Sequence, residues 1–264
     1  MKTNNLFSFQ RFILLAKQSL IINKKLIGVS LVGFSGILFI VLMLFQWKSN
    51  FKIWENHDYM GFLVFWFFVL GIGYTGFSFP AFRSIEKSIT YLLLPASASE
   101  KFTFEILTRI VVFIFIFPLL FWAVANLEGA VVHHYVPGFF NCKFSLEQGF
   151  SEIFNKKLID WWLKFLAIQV VLFVFIAPFC GASHFSKSPV LKTLFIFSII
   201  VGGYALLMYL LGKGLNINEY HPKNETILFV NYKDGPQAFF AIAATAINLC
   251  LLAVAWFRLK EKEA

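Results

Sequence analysis

Few residues in this chain have the types and spacing that catalysis or metal binding requires. His133 and His134 are adjacent, so they point to opposite sides of a strand, or about 100° apart on a helix, and chelate zinc poorly. The stretch Gly212-Lys213-Gly214 lacks the spacing and the hydroxyl of a phosphate-binding loop. No Ser/His/Asp set or carboxylate pair falls in the apolar stretches. We therefore predict no catalytic residue, metal or cofactor in this chain, and no enzymatic activity of its own.

Most of the predicted secondary structure consists of long apolar runs, and any functional site would have to lie on them or between them. A helix of about 20 residues crosses the roughly 30 Å hydrocarbon core of a bilayer, and runs this continuous are helices rather than barrel strands. We predict an all-α polytopic membrane protein, with residues 1–264 as a single transmembrane domain. The six predicted spans are about 26–46, 60–80, 110–127, 161–182, 193–212 and 237–257.

The composition agrees with a membrane protein. Hydrophobic residues make up 59% of the chain and charged residues only 14%, whereas a soluble domain carries about 25% charged residues. The spans use so much of the sequence that a separate soluble domain is not expected.

The basic residues behind the net charge of +9 are concentrated in the segments that are predicted to lie on the cytoplasmic side of the membrane. With the N-terminus and C-terminus placed in the cytoplasm, the inner segments 1–25, 81–109, 183–192 and 258–264 hold 14 Lys+Arg against 5 Asp+Glu, and the remaining residues hold 9 of each. An excess of Lys and Arg on the inner side is what the positive-inside rule predicts. We therefore do not expect a nucleic-acid partner.

Residues 7–22 are predicted to form an amphipathic helix in the cytoplasmic headgroup layer, because apolar residues recur there at helical spacing. The alternative is a simple extension of the first span whose lysines set the topology. The basic residues expected at the membrane surface are Arg11, Lys17, Lys24 and Lys25.

The inner segment 81–109 carries the clearest local signal. An apolar stripe runs through Ile85, Ile89, Leu92 and Leu93, which predicts a short helix that ends before Pro95. Ser97 and Glu100 then have the spacing of a capping box, which predicts a second helix that leads into span 3. The short helix would offer a surface to a partner; the alternative is that it rests on its own bundle or on lipid.

Ionisable side chains are expected to be missing from the middle of every span. Ion-driven carriers usually place such residues near the membrane centre, so the sequence argues against proton coupling. If the protein is a pump, another chain must supply the energy.

The order of a basic amphipathic helix, six spans and a helical inner loop resembles permease subunits of the ABC-2 family of ATP-binding-cassette exporters. The stretch SITYLLLPASASEKF at 88–102 is similar to one in small ABC-2 permeases of Bacteroidetes-like bacteria. The resemblance implies a bacterial inner-membrane protein, an elbow helix at 7–22 and a coupling helix at 84–94. The expected ATPase-docking residues are Ile85, Glu86, Lys87, Ile89, Tyr91, Leu92 and Leu93.

The resemblance also implies a second permease copy or homologue and separate ATPase subunits that bind ATP and magnesium. One feature departs from the family's lipid and polysaccharide exporters, which have an apolar re-entrant hairpin between spans 5 and 6. Here that connection, 213–236, is polar, so their substrates are not carried over. The leading hypothesis is an exporter permease. The alternative is a non-transporting scaffold or sensor subunit of a larger envelope complex.

Overall fold

The computed structural model describes residues 7–49, 54–83, 89, 91, 96–136, 143–154, 161–214 and 235–263. Every regular element among these residues is helical, and they contain no strand, which confirms the all-α prediction. The long helices are α1 (Phe9–Lys48), α2 (Asn56–Gly76), α3 (Ala98–Tyr135), α4 (Leu146–Phe154), α5 (Trp161–His184), α6 (Pro189–Gly214) and α7 (Gly235–Glu263). A short 3-10 turn, Pro80–Arg83, follows α2, and a π-helical turn, Leu107–Val111, lies inside α3.

Five helices in the described part of the chain are long and apolar enough to cross a bilayer: α1, α2, α3, α5 and, within α7, Gln237–Lys262. The protein is therefore a multi-pass membrane protein. Helix α6 covers 26 residues, but over its described side chains the apolar stretch is the shorter Pro189–Gly203. The sixth span stays a prediction.

Helix α1 differs from the two elements expected at the N-terminus. It runs without a break for 40 residues, about 60 Å at 1.5 Å per residue, which is twice the thickness of the hydrocarbon core. A separate elbow helix over 7–22 is therefore not confirmed, and the structure has the alternative, an extension of the first span. Neither Pro nor Gly falls between Phe9 and Gly28, so no residue there favours a helix end.

The chain divides into two compact units. The first contains Met1–Gly71 and Leu93–Lys157, and the second contains Ile72–Leu92 and Leu158–Ala264. Each is described by itself below, and the single transmembrane domain over 1–264 stays a prediction.

Aromatic packing between α1, α2 and α3 forms the core of the first unit. The Phe34 and Phe67 rings lie 5.9 Å from that of Phe117. The segment before α4 closes one end of this core, since Phe144 packs on Phe121 and the Ser145 amide donates to Asn56 at 2.9 Å. The buried hydrophobic cluster is Leu38, Leu42, Trp54, Tyr59, Met60, Leu63, Phe117, Phe121, Val124, Ala125 and Phe144.

Close helix packing holds the second unit together. A Cβ atom added at Gly181 on α5 would collide with Thr193 on α6, so only glycine permits this approach. Between α5 and α7, Asn248 Nδ2 donates to the main-chain and side-chain oxygens of Gln169, both at 3.0 Å. Pro178 lies inside α5 without ending it, as happens in membrane helices when neighbouring groups satisfy the freed carbonyl.

Candidate docking segment and the helix junction beside it

Most of the predicted docking segment lies outside the described residues. This applies to Ile85, Glu86, Lys87, Leu92 and Leu93. Two of its positions are described and both are helical: Ile89 is exposed, and Tyr91 is half-buried with its ring 6.4 Å from that of Phe82. The role of the seven residues in docking stays a prediction.

The turn that leads into this segment is well anchored within the second unit. Phe79 has a φ of 52°, which is rare for a bulky residue. Its ring is fully buried and lies 5.4 Å from Phe82 and 4.9 Å from Phe179. This packing stabilises the unusual backbone conformation and so fixes the direction in which the chain leaves α2.

Two cationic side chains, Arg83 and Lys262, also hold the turn that follows α2. The Arg83 guanidinium lies 4.6 Å from the centre of the Phe77 ring, and its Nη2 donates to the Gly76 carbonyl at 3.3 Å. Lys262 Nζ, near the end of α7, lies 3.7 Å from the centre of the Phe82 ring. Cation–π contacts of this kind are worth about 0.5–1 kcal/mol at exposed sites and more where water is excluded. The turn is thus tied both to the end of α2 and to the end of α7.

The capping box predicted after Pro95 is present. The Glu100 amide donates to Ser97 Oγ at 3.4 Å, and the Ser97 amide donates to Glu100 Oε2 at 2.9 Å. These bonds satisfy two donors that the first turn of a helix otherwise leaves without partners. The start of α3 is therefore set by its own sequence.

Glu100 also serves the start of α1, which the sequence did not indicate. Its Oε1 accepts the Ser8 amide at 2.7 Å and lies 3.1 Å from Arg11 Nη2. Ser8 is the residue before the first turn of α1, so one carboxylate caps the beginnings of two helices. The side chain is fully buried, and the two amides together with the guanidinium compensate its loss of hydration.

The first turns of α3 carry further buried charge. Lys101 and Glu105 are both buried, and Glu105 Oε2 lies 3.6 Å from Arg109 Nε in the π-helical turn. The Phe12 and Phe104 rings, 6.5 Å apart, pack α1 against this region. Single π-helical turns often occur at functional sites. The junction of α1 and α3 is thus a polar, ordered structure that directly follows the predicted docking segment in sequence.

The four basic residues predicted at the membrane surface fall into two groups. Lys17, Lys24 and Lys25 are exposed on α1, as contact with lipid headgroups requires. Arg11 is half-buried and pairs with Glu100, so its side chain stabilises the helix junction.

A second buried polar cluster lies in the first unit and was missed by sequence reasoning, which ended span 3 at residue 127 and placed Glu128 in an outer loop. Helix α3 continues to Tyr135, and Glu128 is fully buried inside the unit. The Tyr59 hydroxyl donates to Glu128 Oε2 at 3.1 Å and accepts from Gln46 Nε2 at 3.0 Å. The signal that was overlooked is the apolar pattern after Glu128: Val132 follows one helical turn later and is also buried.

Neither cluster is a metal centre by composition. No group of three or more His, Cys, Asp or Glu side chains that could hold a metal ion occurs in the described part of the chain. His133 and His134 lie in the last turn of α3.

In comparisons with known proteins, no family model, no curated protein and no solved structure matches this chain. The described helices define a class, a helical multi-pass membrane protein, in which buried charge lies at a helix junction. The family resemblance rests on the sequence features alone.

Proposed function

We propose that this chain is the permease subunit of an ATP-binding-cassette exporter of the ABC-2 type, which a separate ATPase chain energises. It lies in the bacterial inner membrane with both termini in the cytoplasm and works with a second permease copy or homologue. ATP and magnesium bind to the partner ATPase. The supporting observation is the order along the chain: an anchored turn, the segment 84–94 with its apolar stripe, and then a capped helix that enters the membrane.

The turn before segment 84–94 and the helix start after it are both anchored by packing or capping contacts. A force on segment 84–94 reaches α2 and α7 through the turn Pro80–Arg83, and it reaches α3 through the capped helix start. Rigid elements of this kind transmit displacement because helices and packed cores deform little. Docking to an ATPase that opens and closes would thereby move membrane helices and alternate access to the cargo path.

Replacement of Leu92 and Leu93 by Asp tests the docking role. The ATPase and this chain are co-expressed, this chain is purified through an affinity tag, and the amount of bound ATPase is measured. We expect the double variant to lose the ATPase while it inserts into the membrane normally, because two charges would stand on the apolar docking stripe. Phe150→Asp is the matched control, since Phe150 is an exposed apolar residue of α4 in the loop predicted to lie outside. Normal retention of the ATPase by the double variant would contradict the docking role.

A further inference from the structure

The carboxyl group of Glu128 is buried without a neighbouring cation among the described residues. The side chain is fully buried, and among the described residues its hydrogen-bond donor is the Tyr59 hydroxyl, which contacts only Oε2. No Lys, Arg or His in the described part of the chain forms an ion pair with it. This differs from Glu100, which is equally buried but accepts two backbone amides and contacts a guanidinium.

Two side-chain oxygens of the cluster accept no hydrogen bond. Gln46 donates to Tyr59, Tyr59 donates to Glu128, and the remaining oxygens, Gln46 Oε1 and Glu128 Oε1, are buried without a partner. Unpaired buried acceptors are unfavourable by about 1–3 kcal/mol each, and more for a charged group. Two buried oxygens of the cluster, one of them on the carboxylate, are therefore without a donor.

The surroundings of the cluster are aromatic and apolar. The Tyr59 ring lies 5.2 Å from Trp54 and 5.6 Å from Phe144, and Phe121 packs on Phe144 at 5.7 Å. From α2 the Tyr59 hydroxyl contacts Glu128, and from α1 the Gln46 amide contacts Tyr59; of these two residues only Tyr59 is titratable. On α3 the buried neighbours are Val124, Ala125 and Val132. Nothing in these described surroundings favours a negative charge beyond one phenol hydroxyl.

We propose that Glu128 is a proton-binding site, at which the folded protein holds a carboxylic acid at neutral pH. A proton needs no cavity, whereas the buried oxygens leave no exposed surface for a larger ligand. Protonation removes the buried charge, as happens at buried carboxyl groups that lack a cation. The bound proton thereby maintains the contact of α1, α2 and α3, so the first unit responds to pH. This inference is independent of the proposed transport function.

Infrared spectroscopy of the protein in lipid nanodiscs at pH 7 detects the bound proton directly. We expect a carbonyl stretching band of a neutral carboxylic acid in the wild type, shifted in heavy water and absent from Glu128→Gln. The exposed Glu147 of α4 provides the matched control, because Glu147→Gln should keep the band. A wild type without this band, or a band that persists in Glu128→Gln, would overturn the proposal.

The pH dependence of unfolding is a second measurement that does not depend on band assignment. The unfolded chain releases the Glu128 proton near pH 4.3, as an exposed glutamate does, whereas the folded chain keeps it. From that pH up to the pH at which the folded chain also loses the proton, unfolding releases one additional proton, so the unfolding equilibrium constant of the wild type should rise by up to about tenfold per pH unit relative to Glu128→Gln. Parallel pH profiles of the two proteins, or a relative fall, would contradict proton binding at this position.

Discussion

The Arg11 guanidinium lies 3.1 Å from the Glu100 carboxylate, whose same oxygen accepts the Ser8 amide at 2.7 Å. The other oxygen of Glu100 caps the start of its own helix. One side chain therefore fixes the first turn of α1 to the first turn of α3. This contact holds the two helix starts in one arrangement on the side of the membrane where docking is proposed.

Glu100→Gln should weaken that junction, because an amide offers one acceptor oxygen where the carboxylate offers two. We expect a loss of about 1–3 kcal/mol in the free energy of unfolding, the range for leaving buried hydrogen-bonding groups without partners. A spin label at Gln10, which is exposed, should become more mobile. Electron paramagnetic resonance measures that change, and the exposed Glu147→Gln is the control.

Arg11→Gln should have a smaller effect than Glu100→Gln. The Arg11 side chain is 35% exposed, so water already screens the guanidinium of this pair in part. The two backbone amides of Ser8 and Ser97 still reach Glu100 in this variant. Thermal unfolding in detergent compares the two, and an Arg11 variant as unstable as Glu100→Gln would show that the ion pair, not the capping, dominates the junction.

Gly76→Ala should disrupt the second unit. A Cβ atom at Gly76 would collide with Val190 Cγ2 at the start of α6, and forced overpacking is unfavourable by about 1–3 kcal/mol. The second substitution Val190→Ala should restore stability, because the next nearest Val190 atom, its Cβ, lies at an ordinary distance of 3.4 Å. Thermal unfolding of the single and double variants measures both effects.

Gly73→Ala is the control within the same helix. No heavy atom lies within 4 Å of a Cβ atom built there, so this change should be neutral or slightly stabilising, as alanine favours helix over glycine by up to about 1 kcal/mol. Equal losses from Gly73→Ala and Gly76→Ala would mean that helix propensity, and not contact with Val190, sets the result.

Tyr59→Phe should destabilise the first unit without removing its aromatic packing. The ring contacts with Trp54 and Phe144 would remain, but Gln46 Nε2 would lose its acceptor and Glu128 its donor. We expect a loss of about 1–3 kcal/mol in the free energy of unfolding. Chemical denaturation measures it, and an unchanged midpoint would indicate that the hydroxyl contributes nothing net.

Asn248→Leu should have only a modest effect on the second unit. Asn248 joins α7 to Gln169 on α5 through two hydrogen bonds. Interhelical hydrogen bonds in membranes average about 0.6 kcal/mol, with a maximum near 1.7. Thermal unfolding in detergent measures the change, and a loss well above that range would assign Asn248 a larger role than helix association.

The sequence predicted the features that depend on residues close together in the chain, namely the apolar helices and the helix cap. The apolar runs correspond to membrane-length helices, and Ser97 with Glu100 forms the predicted capping box. For α1 the local pattern left two alternatives, a separate amphipathic helix or an extension of the first span, because Lys17, Lys24 and Lys25 suit the membrane surface and also continue a helix well. Charge changes the depth at which a helix lies, not its backbone hydrogen bonds.

The two polar clusters were beyond prediction for a different reason. Ser8 and Glu100 are 92 residues apart in sequence, and Tyr59 and Glu128 are 69 residues apart. Each pairing depends on how α1, α2 and α3 pack, which no local pattern encodes. A single sequence can show that Glu128 is ionisable, but only packing shows that it is buried.

The composition and activity of the complex purified through this chain from its native membrane test the central proposal most directly. We predict that a separate ATPase with a phosphate-binding loop accompanies this chain, and that replacement of the loop lysine in that ATPase abolishes ATP hydrolysis and transport. The isolated chain should hydrolyse no ATP. A preparation of this chain alone that is complete and active without an ATPase would contradict the account.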